Sequence, residues 1–161
     1  MRKTDNAPSP APSSGLQPYP NSIAGSLLAA REAVMAPIRP YLRASNVTEQ
    51  QWRVLRVLAD AETMDAKGIA DQALLYAPTV TRILKELGDR KLINRRTDPD
   101  DGRRSIISIT AEGRKLVVDT ASHTRVLLDA YTQAFGAERL EALKAEAQAL
   151  VRALESFRLE E

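Results

Sequence analysis

A mainly α-helical (α+β) fold is what these 161 residues predict, on three observations. Apolar residues return at alternating spacings of three and four through most of the chain after Ile23. Only two short segments, 93–97 and 105–109, read as extended, and turn-forming residues separate them. Five of the nine prolines, Pro8, Pro10, Pro12, Pro18 and Pro20, fall in the first 22 residues. That composition cannot bury enough to order itself, so residues 1–22 are expected to be a disordered tail.

The elements follow in order. From Ile23 an apolar stripe runs through Leu27, Leu28, Val34, Met35, Ile38 and Leu42. Pro37 and Pro40 should kink or end it, because neither has an N–H for the helical ladder. Thr48-Glu49-Gln50-Gln51 has the form of a capping box, in which the threonine and Gln51 each cover one free N–H. The helix it opens should bury Trp52, Leu55, Leu58 and Ala59, and show Glu49, Arg53, Arg56 and Asp60 outside. A short helix is expected after Asp65, through Ile69, Ala70 and Ala73. Pro78 suits the first position of the next, whose buried stripe is Val80, Ile83, Leu84 and Leu87. Three short helices with tight links form a helix-turn-helix.

Ile93 to Thr97 and Ser105 to Ile109, joined through Asp98-Pro99-Asp100-Asp101-Gly102-Arg103, read as a β-hairpin with a charged tip. Thr110 should cap a long helix that stops at Gly136. A last helix carries Leu140, Leu143, Ala147, Leu150, Leu154 and Phe157 at the spacing of two helices packed side by side. The expected plan is therefore a tail (1–22), an N-terminal dimerisation helix (23–47), a winged helix-turn-helix (48–110) and C-terminal dimerisation helices (111–161).

Composition excludes several functions. With no cysteine there is no disulfide, thiolate metal site or thiol switch, and with one histidine, His123, no multi-histidine metal centre. No glycine-rich phosphate loop or nucleophile with its base appears, so neither an enzyme nor a cofactor is expected. No segment spans a membrane or reads as a signal peptide, which points to the cytoplasm. Aromatics are 4% of the chain, too few for a base-stacking RNA sheet. The overall charge is +2, but residues 66–104 carry a net +3 and residues 105–161 a net −2. Such a split fits a polyanion-binding module, and it also fits an ordinary solvated surface.

A winged helix lays its second helix in the DNA major groove and sets the wing on the backbone or minor groove. Removing the buried stripe of that helix leaves Thr79, Thr81, Arg82, Lys85 and Glu86 outward; the plain alternative is a solvated face. Arg82 is expected to read bases, and Lys85, Arg95, Arg96 and Arg104 to meet phosphates. Ala77, before Pro78, is a poor cap, so a DNA phosphate or water is expected at the helix start.

At this point the chain resembles the MarR family of transcriptional regulators. The matching residues are Pro78-Thr79-Val80-Thr81-Arg82-Ile83-Leu84, Leu92-Ile93 with Arg95, Asp98-Pro99, then Asp101, Arg103, Ile109-Thr110 and Gly113. The resemblance implies a homodimer whose first and last helices interlock and whose winged helices read a palindromic operator. It also implies that Arg103 enters the minor groove from the wing tip and that Asp101 orients the wing by pairing with a nearby arginine. Two positions depart from the family: Lys91 stands where it usually has glycine, and Gly68 where it often has glutamate.

Gln50–Leu58, with Ala30–Met35 and Arg39-Pro40 before it, is similar to the subgroup that represses operons for homoprotocatechuate and hydroxycinnamate breakdown. That likeness implies a small aromatic acid as effector. Arg31 shares the apolar stripe of Leu27, Met35 and Ile38, so it either holds a ligand carboxylate or pairs with an acid across a dimer interface. Trp52 is a core anchor or a ligand platform, and Arg39 is a second candidate on the helix of Arg31. His123 is expected to be a partly buried, satisfied histidine, with a pH switch or a ligand contact as the alternative. The competing function is an architectural or scaffold DNA-binding protein with no effector.

Overall fold

The computed structural model describes residues 15–99, 101–102 and 104–155. Arg103, Phe157 and the first fourteen residues of the expected tail lie outside the described residues. The chain divides into two compact units, residues 1–36 and residues 37–161.

In the first unit a 3-10 turn, Tyr19–Asn21, precedes helix α1, Ile23–Met35. The end of the expected tail thus has regular structure. Ser22 caps α1 by accepting from the Gly25 N–H at 3.1 Å, and its hydroxyl donates to the Tyr19 carbonyl at 2.7 Å. A Cβ at Gly25 would stand 2.0 Å from that carbonyl oxygen, so only glycine lets the turn lie on the helix. Leu27, Leu28 and Val34 are exposed.

The second unit opens with α2, Arg39–Ala44, which carries Pro40 in its first turn. Arg39 therefore belongs to a different helix from Arg31, because the ladder breaks between Met35 and Arg39 at Pro37. Helix α3, Glu49–Asp60, begins at the expected capping box: the Gln51 N–H donates to Thr48 Oγ1, and the Thr48 N–H to Gln51 Oε1, both at 3.1 Å. It buries Trp52, Val54, Leu55 and Leu58. Arg53 is not on the outer face. Its Nη1 donates to the carbonyls of Ala73 (2.8 Å) and Leu74 (3.3 Å), where the next helix ends and has no internal donors left.

A three-residue strand, β1 (Thr63–Asp65), precedes α4 (Ala66–Ala73) and α5 (Ala77–Asp89). Strands β2 (Ile93–Thr97) and β3 (Ser105–Ile109) stand where the alternation places them. The antiparallel sheet has the order β1-β3-β2, with Met64 and Arg95 both opposite Ile107. Pairing on both edges makes Ile107 the fully buried centre of the sheet. Val54, Leu55, Leu58, Ile69, Val80, Ile83 and Leu87 join it in one core, each burial stabilising by about 1.5–3 kcal/mol.

Helix α6, Ala111–Phe135, starts where Thr110 Oγ1 accepts from the Gly113 N–H at 3.0 Å and donates to the Lys91 carbonyl at 2.8 Å. A Cβ on Gly113 would lie 2.2 Å from the Leu92 carbonyl oxygen. Glycine is thus what lets α6 press against the end of the α5–β2 link. Gly136 ends α6, and α7, Ala137–Glu155, buries none of its residues in the single chain. Leu143 and Leu154 are half exposed. His123 is exposed rather than partly buried, with one face covered by Tyr41.

Candidate nucleic-acid interface

Helix α5 supplies the central surface. Its N-cap is Tyr76, which makes no side-chain cap, and Pro78 sits at the second position instead of the first. The start is therefore as open to an external acceptor as the sequence suggests, one residue earlier than expected. Val80, Ile83, Leu84 and Leu87 are all buried, which rotates Thr81, Arg82 and Lys85 to the outside and leaves Thr79 half buried. The Thr81 hydroxyl donates to its own helix at the Ala77 carbonyl (3.1 Å) and keeps its lone pairs for an outside donor.

The helix ends on a left-handed residue. Lys91 has φ of +58°, its N–H donates to Gly88 O at 2.9 Å, and the Leu92 N–H donates to Leu87 O at 3.0 Å. Those two bonds are the Schellman pattern, closed by lysine where glycine is the usual solution.

On the wing, Arg95 and Arg96 are both exposed, but adjacent strand residues face opposite sides of the sheet. Arg104 is committed within the chain: its guanidinium pairs with Asp65, the N-cap of α4. Asp65 accepts from the Gly68 N–H at 2.8 Å as well. That backbone bond first, and Arg104 second, hold the Asp65 carboxyl below its ordinary range. Asp65, with Asp98 and Asp101 nearby, keeps Arg104 firmly charged. The Arg104 N–H donates to the Asp101 carbonyl and the Asp98 N–H to the Arg104 carbonyl, both at 2.9 Å, closing the wing's base. The contact between Asp101 and Arg104 is a backbone turn bond, and the Arg104 guanidinium itself goes to Asp65. Lys67, which sequence reasoning missed, shares a cleft of about 230 Å³ with Arg95 and Arg104. Its signal was only its place next to the cap of a helix-turn-helix.

The expected ligand residues fall in both units, Arg31 in the first, Arg39 and Trp52 in the second. Arg31 is exposed and pairs with Glu32 at 2.9 Å. Arg39 pairs with Glu49, in the first turn of α3, at 3.2 Å. Trp52 is buried, and the Arg56 guanidinium lies 5.9 Å from its ring centroid. Arg56 and Arg125 line a cleft of about 410 Å³ with Ser122, Val118 and Leu128, between α3 and α6. Two cations and a hydroxyl over apolar walls suit a small apolar acid. Sequence reasoning placed Arg56 merely outside; its position four residues after Trp52, one helical turn on, was the available signal.

Residues 47–105 match the MarR family. The chain is 37% identical over 123 residues to the HTH-type transcriptional regulator FarR of Neisseria gonorrhoeae, across 76% of this chain and 84% of that one. This chain belongs to the MarR family. Members are DNA-binding transcription factors and not enzymes. The MarR-family regulator described here is also 40% identical over 96 residues to the homoprotocatechuate degradative operon repressor of Escherichia coli, over 60% of this chain and 65% of that one. Among solved structures it is similar to NadR in complex with 4-hydroxyphenylacetate, with a TM-score of 0.75 and 36% identity, covering 84% of this chain and 96% of that one. The mainly helical winged fold with long C-terminal helices agrees with these relatives. Among the described residues no helix is long and apolar enough to cross a membrane.

Proposed function

We propose that this MarR-family regulator is a homodimeric repressor of an aromatic-acid catabolic operon, released from a palindromic operator by a small aromatic carboxylate. The observation that carries this reading is the α3–α6 cleft, where Arg56 and Arg125 offer guanidinium forks beside the Trp52 helix face and apolar walls. A carboxylate matches such a fork, and a ring gains burial against Val118 and Leu128. The similar E. coli repressor and the NadR complex supply the class of acid. Uncovered apolar positions on α1 and α7 support the dimer and the division into dimerisation helices around residues 48–110.

In this reading Arg82 reads bases, and Thr79, Thr81, Lys85, Arg95, Arg96 and Arg103 position the DNA, with Pro78 fixing the start of the helix they flank. Arg56 and Arg125 serve the effector beside Trp52, and Arg31 and Arg39, each on its own helix, are the further arginines proposed to meet a carboxylate. The effector acts by favouring a spacing of the two recognition helices that misses successive major grooves, and it must bind that state more tightly to shift anything. Titration of 4-hydroxyphenylacetate and its 3-hydroxy derivative into the protein–operator complex tests this. Release is expected for the parent and for a surface control, and weakened release for Arg56→Ala and Arg31→Ala. No release at millimolar acid overturns the effector class; an unaltered response in both variants overturns the site.

A further inference from the structure

The recognition helix is tied to α3 by a chain of three side chains. Arg82 Nη1 donates to Glu86 Oε1 at 2.6 Å, Gln51 Nε2 donates to Glu86 Oε2 at 2.8 Å, and Gln51 Oε1 accepts the Thr48 N–H at 3.1 Å. Gln51 is 7% exposed, one of two buried polar side chains among the described residues. We infer that Gln51 is a positioning residue for sequence recognition: it fixes Glu86, which in turn presents the Arg82 guanidinium to the bases. The inference rests on the reading of Arg82 as the base-reading arginine.

An exposed pair four residues apart is weak, because two long side chains lose rotamer freedom to hold one geometry. The Arg82–Glu86 pair is of that kind, with side-chain exposures of 62% and 38%. Gln51 changes the balance. Its amide oxygen is held by the capping box and its amide nitrogen has one course, toward Glu86. Both carboxylate oxygens of Glu86 are then occupied by separate donors, so the carboxylate cannot swing. Arg82 spends one nitrogen on it and keeps the rest of its fork for a guanine edge. Ordering of the guanidinium is thereby completed before DNA arrives. Gln51 also directly precedes Trp52 on α3, so whatever shifts the start of α3 shifts the arginine.

The test is Gln51→Glu. Glutamate is an ordinary capping-box partner, so the Thr48 bond survives, while a second carboxylate replaces the donor to Glu86. The reversed pair Gln51→Glu with Glu86→Gln restores the chain with donor and acceptor exchanged, since Gln at 86 can donate to Glu at 51 and accept from Arg82. The DNA is a duplex selected by the full-length protein from a random pool, with each base pair then substituted in turn. Gln51→Glu should lose about tenfold in discrimination at the base pair that Arg82→Ala identifies, within the range set by one bidentate contact. Affinity for random duplex should fall only by the modest, sequence-independent cost of one added negative charge, and the reversed pair, whose net charge equals the parent's, should regain both that affinity and most of the discrimination. In an Arg82→Ala background Gln51→Glu should cost no further discrimination. Retained discrimination in Gln51→Glu, or equal loss with and without Arg82, overturns the inference alone. If Arg82→Ala alters no base preference, the base-reading role fails and the inference with it.

Discussion

Tyr41 of α2 and His123 of α6 stack face to face, with ring centroids 4.7 Å apart and planes 11° from parallel. The two residues are 82 positions apart in sequence, and their stack joins the helix that leads into the DNA-binding segment to the long helix behind it. Beside it, the Ser45 and Thr120 hydroxyls lie 3.4 Å apart. Aromatic pairs of this geometry contribute about 0.5–1.5 kcal/mol beyond the area they bury. With His123 exposed on its other face, the lower half of that range is expected. His123→Ala and Tyr41→Ala should each lower the melting temperature, and the double variant should lose less than the sum. Strict additivity in that cycle would show the contact to be incidental.

Lys91 makes a prediction of opposite sign. A side chain at φ of +58° clashes mildly with its own carbonyl, at a cost of about 1 kcal/mol or more. Lys91→Gly removes that cost and adds some entropy to the unfolded chain. The net should be a gain of roughly 0.5 kcal/mol, read as a slightly higher denaturation midpoint with unchanged slope. A loss of stability would show that the lysine chain itself packs at the helix end.

The end of α5 is set by tertiary contact and not by local sequence. Sequence shows a lysine where the family usually has glycine, but not that the α5–β2 link demands the turn so strongly that Lys91 accepts it. The same limit hid β1. Thr63–Asp65 is too short to show alternation, and it is a strand only because β3 presents it an edge. By contrast, the hairpin, the Thr48 and Thr110 caps and the stripe of α5 are local patterns and could be read directly. The interface arginines were legible as exposed cations. Which of them are already paired was not, because Asp65 and Arg104 meet across 39 positions.

Asp65 gives the protein an acid-sensitive joint. Its folded pKa lies below the ordinary 3.8, held there first by the Gly68 N–H and then by Arg104. A depressed carboxyl contributes stability that is fully present above its unfolded pKa and is lost as pH falls through the folded value. Asp65→Asn keeps a good helix cap but removes the charge. The parent should therefore melt higher than the variant at neutral pH, and the gap should close as pH drops below about 4. A gap that stays constant from pH 7 to pH 3 would assign the difference to packing.

The pairing of Arg104 also divides the basic residues by what they give to DNA. Binding to duplex releases counterions, and each phosphate neutralised adds about 0.9 to the slope of log affinity against log salt. Lys85, on the outer face of α5, has its full charge to offer, so Lys85→Ala should reduce the slope by about 1 and weaken all sequences alike. Arg104 faces Asp65, Asp98 and Asp101, so part of its charge is balanced before any phosphate approaches. Arg104→Ala should reduce the slope by clearly less than Lys85→Ala, while lowering the melting temperature through the lost tie to α4. Affinity on random duplex, measured for both variants from about 50 to 200 mM salt, decides it. Equal losses of slope would mean that DNA draws Arg104 away from Asp65, and that the cleft it shares with Lys67 and Arg95 opens onto the phosphate backbone.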